Sequence, residues 1–330
     1  MELRSQRGAF VIFSLVVAIV AYFLTSRISP ALRSIFPSLA STPTTRSLSN
    51  LSTKMATRTP VYFMSHGGPS TMFDTEHPVY PVLQNMGQEI TQKVKPKAIV
   101  VFSAHWEASP NEIQVNTALM TDLIYDYYGF PPEYYDVKYP NIGSPELANK
   151  VIGLLRDAGI KAKGVSRGLD HGVYVGFSVA FHPEKNPLNI PIVQVSQYKS
   201  PDVDQHYRLG QAVKALRDEN ILVIGAGMSV HNLRDYRFGF NATQPLPYVA
   251  SFDNALKPAM EAPPSERQAK LAEVAKRPDA HQAHPHFDHL MPAYITAGAG
   301  GEDQGKQLWT HHDFSMGWAM YRFGELPASA

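Results

Sequence analysis

Three histidines stand just past apolar, strand-like runs. His66 follows residues 61–64 by two positions, inside Ser65-His-Gly-Gly-Pro69. His105 follows residues 98–102 by three, inside Ser103-Ala-His-Trp-Glu107. His231 lies seven positions beyond Ile224, after Gly225-Ala-Gly-Met-Ser-Val230. Open α/β sheets bind ligands outside the carboxyl ends of their strands, so three such exits bring imidazoles to one edge. Gly67, Gly68, Gly225 and Gly227 allow close backbone approach at those turns. Converging neutral imidazoles suit zinc or iron, and a catalytic ion needs coordination positions left open.

A fourth contributor lies in His281-Gln-Ala-His-Pro-His-Phe-Asp-His289, where four histidines fall within nine residues. Spacing alone does not choose among them. His289 precedes the apolar stretch 290–295, which anchors it in the fold, whereas a surface loop accounts for His281, His284 and His286. Asp288 is an alternative oxygen ligand. In Asp170-His-Gly172 an acid and a glycine flank His171. That setting suits substrate binding or proton transfer, and equally a helix cap or a buried structural hydrogen bond.

Other chemistries lack their residues. The chain of 330 residues has no cysteine, which excludes disulfides, thiolate zinc, iron–sulfur clusters and a cysteine nucleophile. A formal net charge of +1 gives no electrostatic case for nucleic acid. Residues 221–228 begin like a dinucleotide-binding turn but lack its third glycine, and neither a nucleophile elbow nor a phosphate-binding P-loop occurs.

The elements that must hold these side chains read as alternating strands and helices. Residues 61–64, 98–102, 191–196 and 221–224 are near-continuous apolar runs rich in β-branched residues, the pattern of strands covered on both faces. Residues 145–158 repeat leucine and isoleucine at helical spacing, and residues 205–218 form a second helix candidate. The alternation predicts an α/β fold: a mostly parallel or mixed central sheet covered by helices, in a single catalytic domain over 55–330. With 44% hydrophobic and 18% charged residues, such a chain can bury a substantial core. Residues 125–139 carry six tyrosines, and Pro131 and Pro132 preclude a continuous helix. The expectation is an irregular aromatic loop, either bordering a pocket for a planar ligand or pinned at the surface by its own packing.

Residues 1–54 read differently. They carry six Lys or Arg and one acid, which leaves the remainder at a formal charge of −4. Residues 9–24 are an uncharged, mostly apolar run of 16 between Arg7 and Arg27. That is short of the roughly 20 residues of a membrane-spanning helix. The pattern predicts a targeting or membrane-anchor segment with a flexible tether, or an organellar leader, and a soluble cytoplasmic form when synthesis begins at Met55.

Taken together, the motifs resemble those of a known family. Ser65-His-Gly-Gly-Pro69, Ser103-Ala-His-Trp106, Asp170-His-Gly172, Val230-His-Asn-Leu233 and His289-Leu-Met-Pro292 are similar, in order and spacing over most of residues 58–323, to the class III extradiol ring-cleavage dioxygenases, in the DOPA 4,5-dioxygenase-like branch. The resemblance implies a non-haem metal-dependent enzyme that opens the ring of a catechol, DOPA among them, with O2. Its cofactor would be Fe(II) for activity, with Zn(II) in the isolated or resting protein. His66, His105 and His289 carry over as metal ligands, a departure from relatives whose third ligand is glutamate. His231 carries over as an acid–base residue beside the metal that joins the coordination only in a resting zinc form, and His171 as the other catalytic histidine. The implied partners are a small catecholic substrate and O2, without nucleic acid, and the leader adds membrane association through residues 9–24. Two alternatives use the same histidines: metal-assisted hydrolysis, and a non-catalytic interaction protein on this scaffold.

Overall fold

The computed structural model describes residues 58–239 and 244–327. The leader expected in residues 1–54 lies outside the described residues. Among the described residues no helix is long and apolar enough to cross a membrane.

The apolar runs form strands of one eight-stranded sheet. Its members are β1 (Val61–Ser65), β2 (Ala98–Glu107), β3 (Ile113–Asn116), β4 (Ala162–Val165), β5 (Ile192–Gln197), β6 (Ile221–Gly227), β7 (Gly305–Trp309) and β8 (Met320–Phe323). They lie in the order β7-β8-β1-β6-β2-β5-β3-β4. The four strands read from sequence, β1, β6, β2 and β5, are the parallel centre. Antiparallel pairing of β8 with β1, β7 with β8 and β3 with β5 makes the sheet mixed. Successive residues of the central strands face opposite cores, with Val61, Phe63, Val100 and Phe102 in one and Tyr62, Met64, Ile99 and Val101 in the other. Burial on both faces explains why the sequence shows runs rather than alternation.

The helices that matter for the site are α1 (Val79–Glu89), α2 (Pro145–Asp157), α3 (His171–Ala180), α4 (Val203–Val213), α5 (Pro247–Met260), α6 (Pro264–Ala275) and α7 (Met291–Gly300). In α2, Ser144 accepts the Leu147 N–H, Pro145 fixes the first turn, and Leu147, Val151, Ile152 and Leu155 form the buried stripe. Helix α7 is buried along its whole length. A Cβ on Gly210 would lie 1.9 Å from the Ile295 carbonyl oxygen, so α4 and α7 meet backbone to backbone.

Two fully buried guanidinium groups close the far end of α7. Arg217 donates to the carbonyls of Ala299 at 3.2 Å and Gly300 at 2.7 Å, and also pairs with Asp303. Arg267 donates to those of Ala297 at 3.4 Å and Gly301 at 3.1 Å. They satisfy carbonyls that the last helical turn leaves without partners. The opposite end of α7 begins just past His289 and is thereby fixed against the sheet.

One strand runs further than its apolar pattern. β2 continues past Phe102 to Glu107 through a shift of register. His105 therefore sits within an irregular stretch of the strand, which is where bulges re-aim side chains next to sites.

Candidate metal centre

The carboxyl ends of β1, β6 and β2 are neighbours in the sheet, and each delivers an imidazole. His66 directly follows β1, and its backbone N–H donates to the Gly227 carbonyl at 3.1 Å. His105 projects from the end of β2. His231 lies in a short strand, Val230–His231, paired with Met316–Gly317. His289 arrives from outside the sheet, its carbonyl accepting the Met228 N–H at 2.9 Å. The approach is so close that a Cβ on Gly227 would stand 2.3 Å from the His289 oxygen, so only glycine fits. His171 opens α3, which packs tightly on β2: a Cβ on Gly172 would meet His105 Cδ2 at 2.8 Å.

Three of these rings turn the same atom inward. His66 Nδ1 lies 2.6 Å from the Gly67 carbonyl, which can only accept, so Nδ1 carries the proton and Nε2 the lone pair. That Nε2 is buried without a hydrogen-bond partner. His105 Nδ1 lies 3.1 Å from Asp126 Oδ2, which likewise leaves its Nε2 as the free lone pair. His289 Nδ1 stands 3.2 Å from Asp288 Oδ2, outside hydrogen-bonding alignment. The Nε2 atoms of His105 and His289 face one another at 3.1 Å, and a ligand atom from each of the three rings falls within 4.8 Å of the others. Two nitrogens about 2.1 Å from a common ion and at right angles stand about 3.0 Å apart. Without an ion, His289 must place its proton on Nε2 to bridge to His105. With one, the proton moves to Nδ1 beside Asp288. The donor set therefore fits a divalent ion, and Asp288 faces the outer nitrogen of His289 rather than the centre.

Electrostatics favour neutral rings at three of these positions. Burial, then the neighbouring histidines, hold the His66 and His289 imidazoles well below their ordinary pKa, and burial followed by His289 does the same to His231. For His105 burial acts downward, but the Asp126 hydrogen bond and the charges of Asp170, Asp126 and Asp288 outweigh it and raise the value. A cation binding His105 thus displaces a proton in acid.

The five sequence-predicted histidines come together in two ways. His66, His105 and His289 form the converging group. His231 lies face to face on His289, with ring centres 3.5 Å apart and planes 11° from parallel, outside that group of three. The His171 ring centre is 3.9 Å from that of His105 and 5.9 Å from that of His66. His171 is not partnered by its sequence neighbour Asp170. That carboxylate is buried beneath the turn, accepting from Ser103 at 2.6 Å, from Arg167 at 2.8 Å and from Gln194.

The residue missed by the sequence reading is Asp126. It comes from the tyrosine-rich loop and meets both His105 and His171, while neither periodicity nor a strand exit marks it. The loop is held by its own packing, the second of the two expectations. Tyr125, Tyr127 and Tyr174 pin it through hydrogen bonds of 2.7, 2.6 and 3.0 Å to the Val137 carbonyl, the Tyr134 carbonyl and the Tyr127 hydroxyl. Its Tyr127 ring meets His171 edge to face at 5.4 Å.

Two further histidine groups lie outside this centre, and one of them differs from expectation. His284 is fully buried rather than on a surface loop, with Nε2 2.8 Å from the Ser229 carbonyl. His77, His311 and Asp313 gather like metal ligands. However, His77 Nδ1 accepts the Val79 N–H at 3.1 Å, so the proton of the neutral ring sits on Nε2, 2.8 Å from Asp313. That ring offers no inward lone pair.

Comparison with known proteins follows the same geometry. A family profile described as the catalytic LigB subunit of aromatic ring-opening dioxygenase matches residues 55–323. The chain is 36% identical over 272 residues to a 4,5-DOPA dioxygenase extradiol of Beta vulgaris, covering 79% of this chain and 95% of that protein. It is 34% identical over 263 residues to a 4,5-DOPA dioxygenase extradiol-like protein of Schizosaccharomyces pombe, covering 75% of this chain and 86% of that one. The crystal structure of an uncharacterized protein from Escherichia coli K12 superposes with a TM-score of 0.64 at 26% identity, covering 81% of this chain and all of the other.

Proposed function

The chain belongs to the family of catalytic LigB subunits of aromatic ring-opening dioxygenases, as an extradiol enzyme of the DOPA 4,5-dioxygenase-like branch, and from that premise we propose that it opens a catechol ring at one ion held by His66, His105 and His289. The observation that carries this reading is the convergence of three Nε2 atoms, one buried without a partner and two 3.1 Å apart. The hydrolytic and non-catalytic alternatives give way to the enzyme class of the family.

An all-imidazole set suits Fe(II) and Zn(II) alike. We assign Fe(II) to the active form, because zinc is d¹⁰ and redox-inert, and Zn(II) to a resting form. Bound iron supplies the electron transfer between catechol and O2 that the side chains lack. The ring bond beside the diol breaks, and both atoms of O2 enter the product.

The remaining work belongs to this chain's residues. With Nδ1–H held by Asp126 at 2.8 Å, His171 keeps Nε2 as a proton acceptor for a substrate hydroxyl. His231, kept neutral by burial and stacked on His289, is the second proton-transfer residue and returns a proton as the ring opens. Tyr127 offers the planar substrate an aromatic neighbour beside His171. The relatives' names suggest DOPA, while these residues address the catechol ring that DOPA shares with other ortho-diphenols. We assign catalysis to residues 55–330 and targeting to 1–54, so protein begun at Met55 folds and takes up metal.

The test is metal-free protein loaded anaerobically with Fe(II), then given a panel of catechols and O2. The expected result is O2 consumption with a ring-opened product carrying both oxygen atoms. Turnover without O2, or inactivity of the iron-loaded protein across the panel, overturns the reading.

A further inference from the structure

Asp126 stands on the outer side of the histidine group, opposite the converging Nε2 atoms. Its Oδ2 lies 3.1 Å from His105 Nδ1, and its Oδ1 lies 2.8 Å from His171 Nδ1. The same Oδ1 accepts the backbone N–H of His171 at 3.0 Å. All three partners can donate, and a carboxylate can only accept. Burial pushes this carboxyl's pKa up, but hydrogen bonds from His105 and His171 hold it well below the usual range, which keeps it ionised.

We propose that Asp126 is the positioning residue that fixes the tautomers of two histidines at once, one for metal binding and one for proton acceptance. Holding the proton of His105 on Nδ1 turns its Nε2 lone pair toward His66 and His289. Holding that of His171 on Nδ1 keeps its Nε2 free to take a substrate proton. When His171 takes that proton, the new positive charge faces a carboxylate that stays ionised. Asp126 does not itself ligate, since both oxygens are committed on the outer side. Carboxylate partners of metal-bound histidines typically change metal affinity by about 10–100-fold.

The two roles separate in one variant. An amide at position 126 has a single acceptor oxygen, and the His171 backbone N–H holds that oxygen on the His171 side. Its NH₂ then faces His105 Nδ1 and drives the His105 proton onto Nε2, the nitrogen that must bind metal. Asp126→Asn is therefore expected to move the tautomer of His105 and leave that of His171.

The assignment rests on His105 being a ligand, and the experiment separates the two. Ring ¹⁵N shifts of the metal-free full chain, recorded at a pH high enough for both imidazoles to be neutral, report each tautomer, and Zn(II) titration reports affinity without reference to activity. In the wild type both His105 and His171 are expected to carry the proton on Nδ1. In Asp126→Asn, His105 switches and Zn(II) affinity falls by about 10–100-fold. Either wild-type ring protonated on Nε2 overturns the assignment without any variant. Unchanged Zn(II) affinity in folded Asp126→Asn, beside a large loss in His105→Ala, overturns it alone. Unchanged affinity in His105→Ala overturns it together with the ligand reading.

Discussion

Replacing Gly227 with alanine tests how the sheet places His289. The new Cβ would stand 2.3 Å from the His289 carbonyl oxygen and 3.1 Å from both Phe63 Cε2 and Pro292 Cγ. Ordinary contact begins at 3.4 Å, so close packing forces a retreat of about 1 Å. β6 lies between β1 and β2 and cannot yield, and α7 is clamped at its far end by Arg217 and Arg267. The backbone at His289 is the part that moves. Overpacking of this kind costs about 1–3 kcal/mol of stability. A catalytic group displaced by about 1 Å loses on the order of 10²-fold in rate. Urea unfolding in the presence of chelator reads the first effect. Zn(II) titration and the rate at saturating Fe(II) read the second, with metal affinity falling by about 10-fold or more. Gly153→Ala is the control: a Cβ there meets nothing within 4 Å, so this α2 variant gains up to about 1 kcal/mol and keeps its metal affinity. Wild-type metal affinity and rate in Gly227→Ala would refute the reasoning.

Other perturbations isolate other parts. Arg217→Met strips side-chain donors from the buried Thr59 and Ala299 carbonyls, while the half-exposed Asp303 is left to solvent, so urea unfolding should show a loss of about 1–3 kcal/mol. A loss below about 1 kcal/mol would mean that α7 does not depend on this clamp. Burial holds the His284 imidazole down at about 4, below 6.5 for the free side chain. Between those values the unfolded chain binds a proton that the native state does not, so stability is full above the upper value and falls with pH toward the lower. The loss attributable to this residue is on the order of 3 kcal/mol, read as the difference between the pH–stability curves of wild type and His284→Gln. Parallel curves would contradict it. His231→Gln should retain Fe(II) and bind catechol anaerobically while losing about 10²–10⁴-fold in ring-opening rate. Loss of iron, with activity restored by excess Fe(II), would instead make His231 a ligand.

What could be read from sequence was whatever repeats or punctuates. Central strands buried on both faces leave runs, as at residues 98–102 and 221–224, and the histidines at their exits share an edge because parallel strands end together. Less visible were features that depend on contacts distant in sequence. Asp126 is one carboxylate in a loop of tyrosines, and only folding brings it to His105 and His171. Arg217 looks like an exposed residue at a helix end, yet it is fully buried because the carbonyls of α7 need its donors. His284 shares its local sequence with His281 and His286, and its burial follows from a partner at Ser229. The edge strand β7 lacks the continuous apolar signature because it borders solvent and is buried only at Gly305.

The central claim is that one ion sits among His66, His105 and His289. Crystals of Fe(II)-loaded protein, measured at the iron absorption edge, would locate the metal by its anomalous signal. The account predicts one strong peak at about 2.1 Å from the Nε2 atoms of all three histidines. A peak bonded to Asp126, or lying among His77, His311 and Asp313 while the three Nε2 atoms stay free, would contradict it.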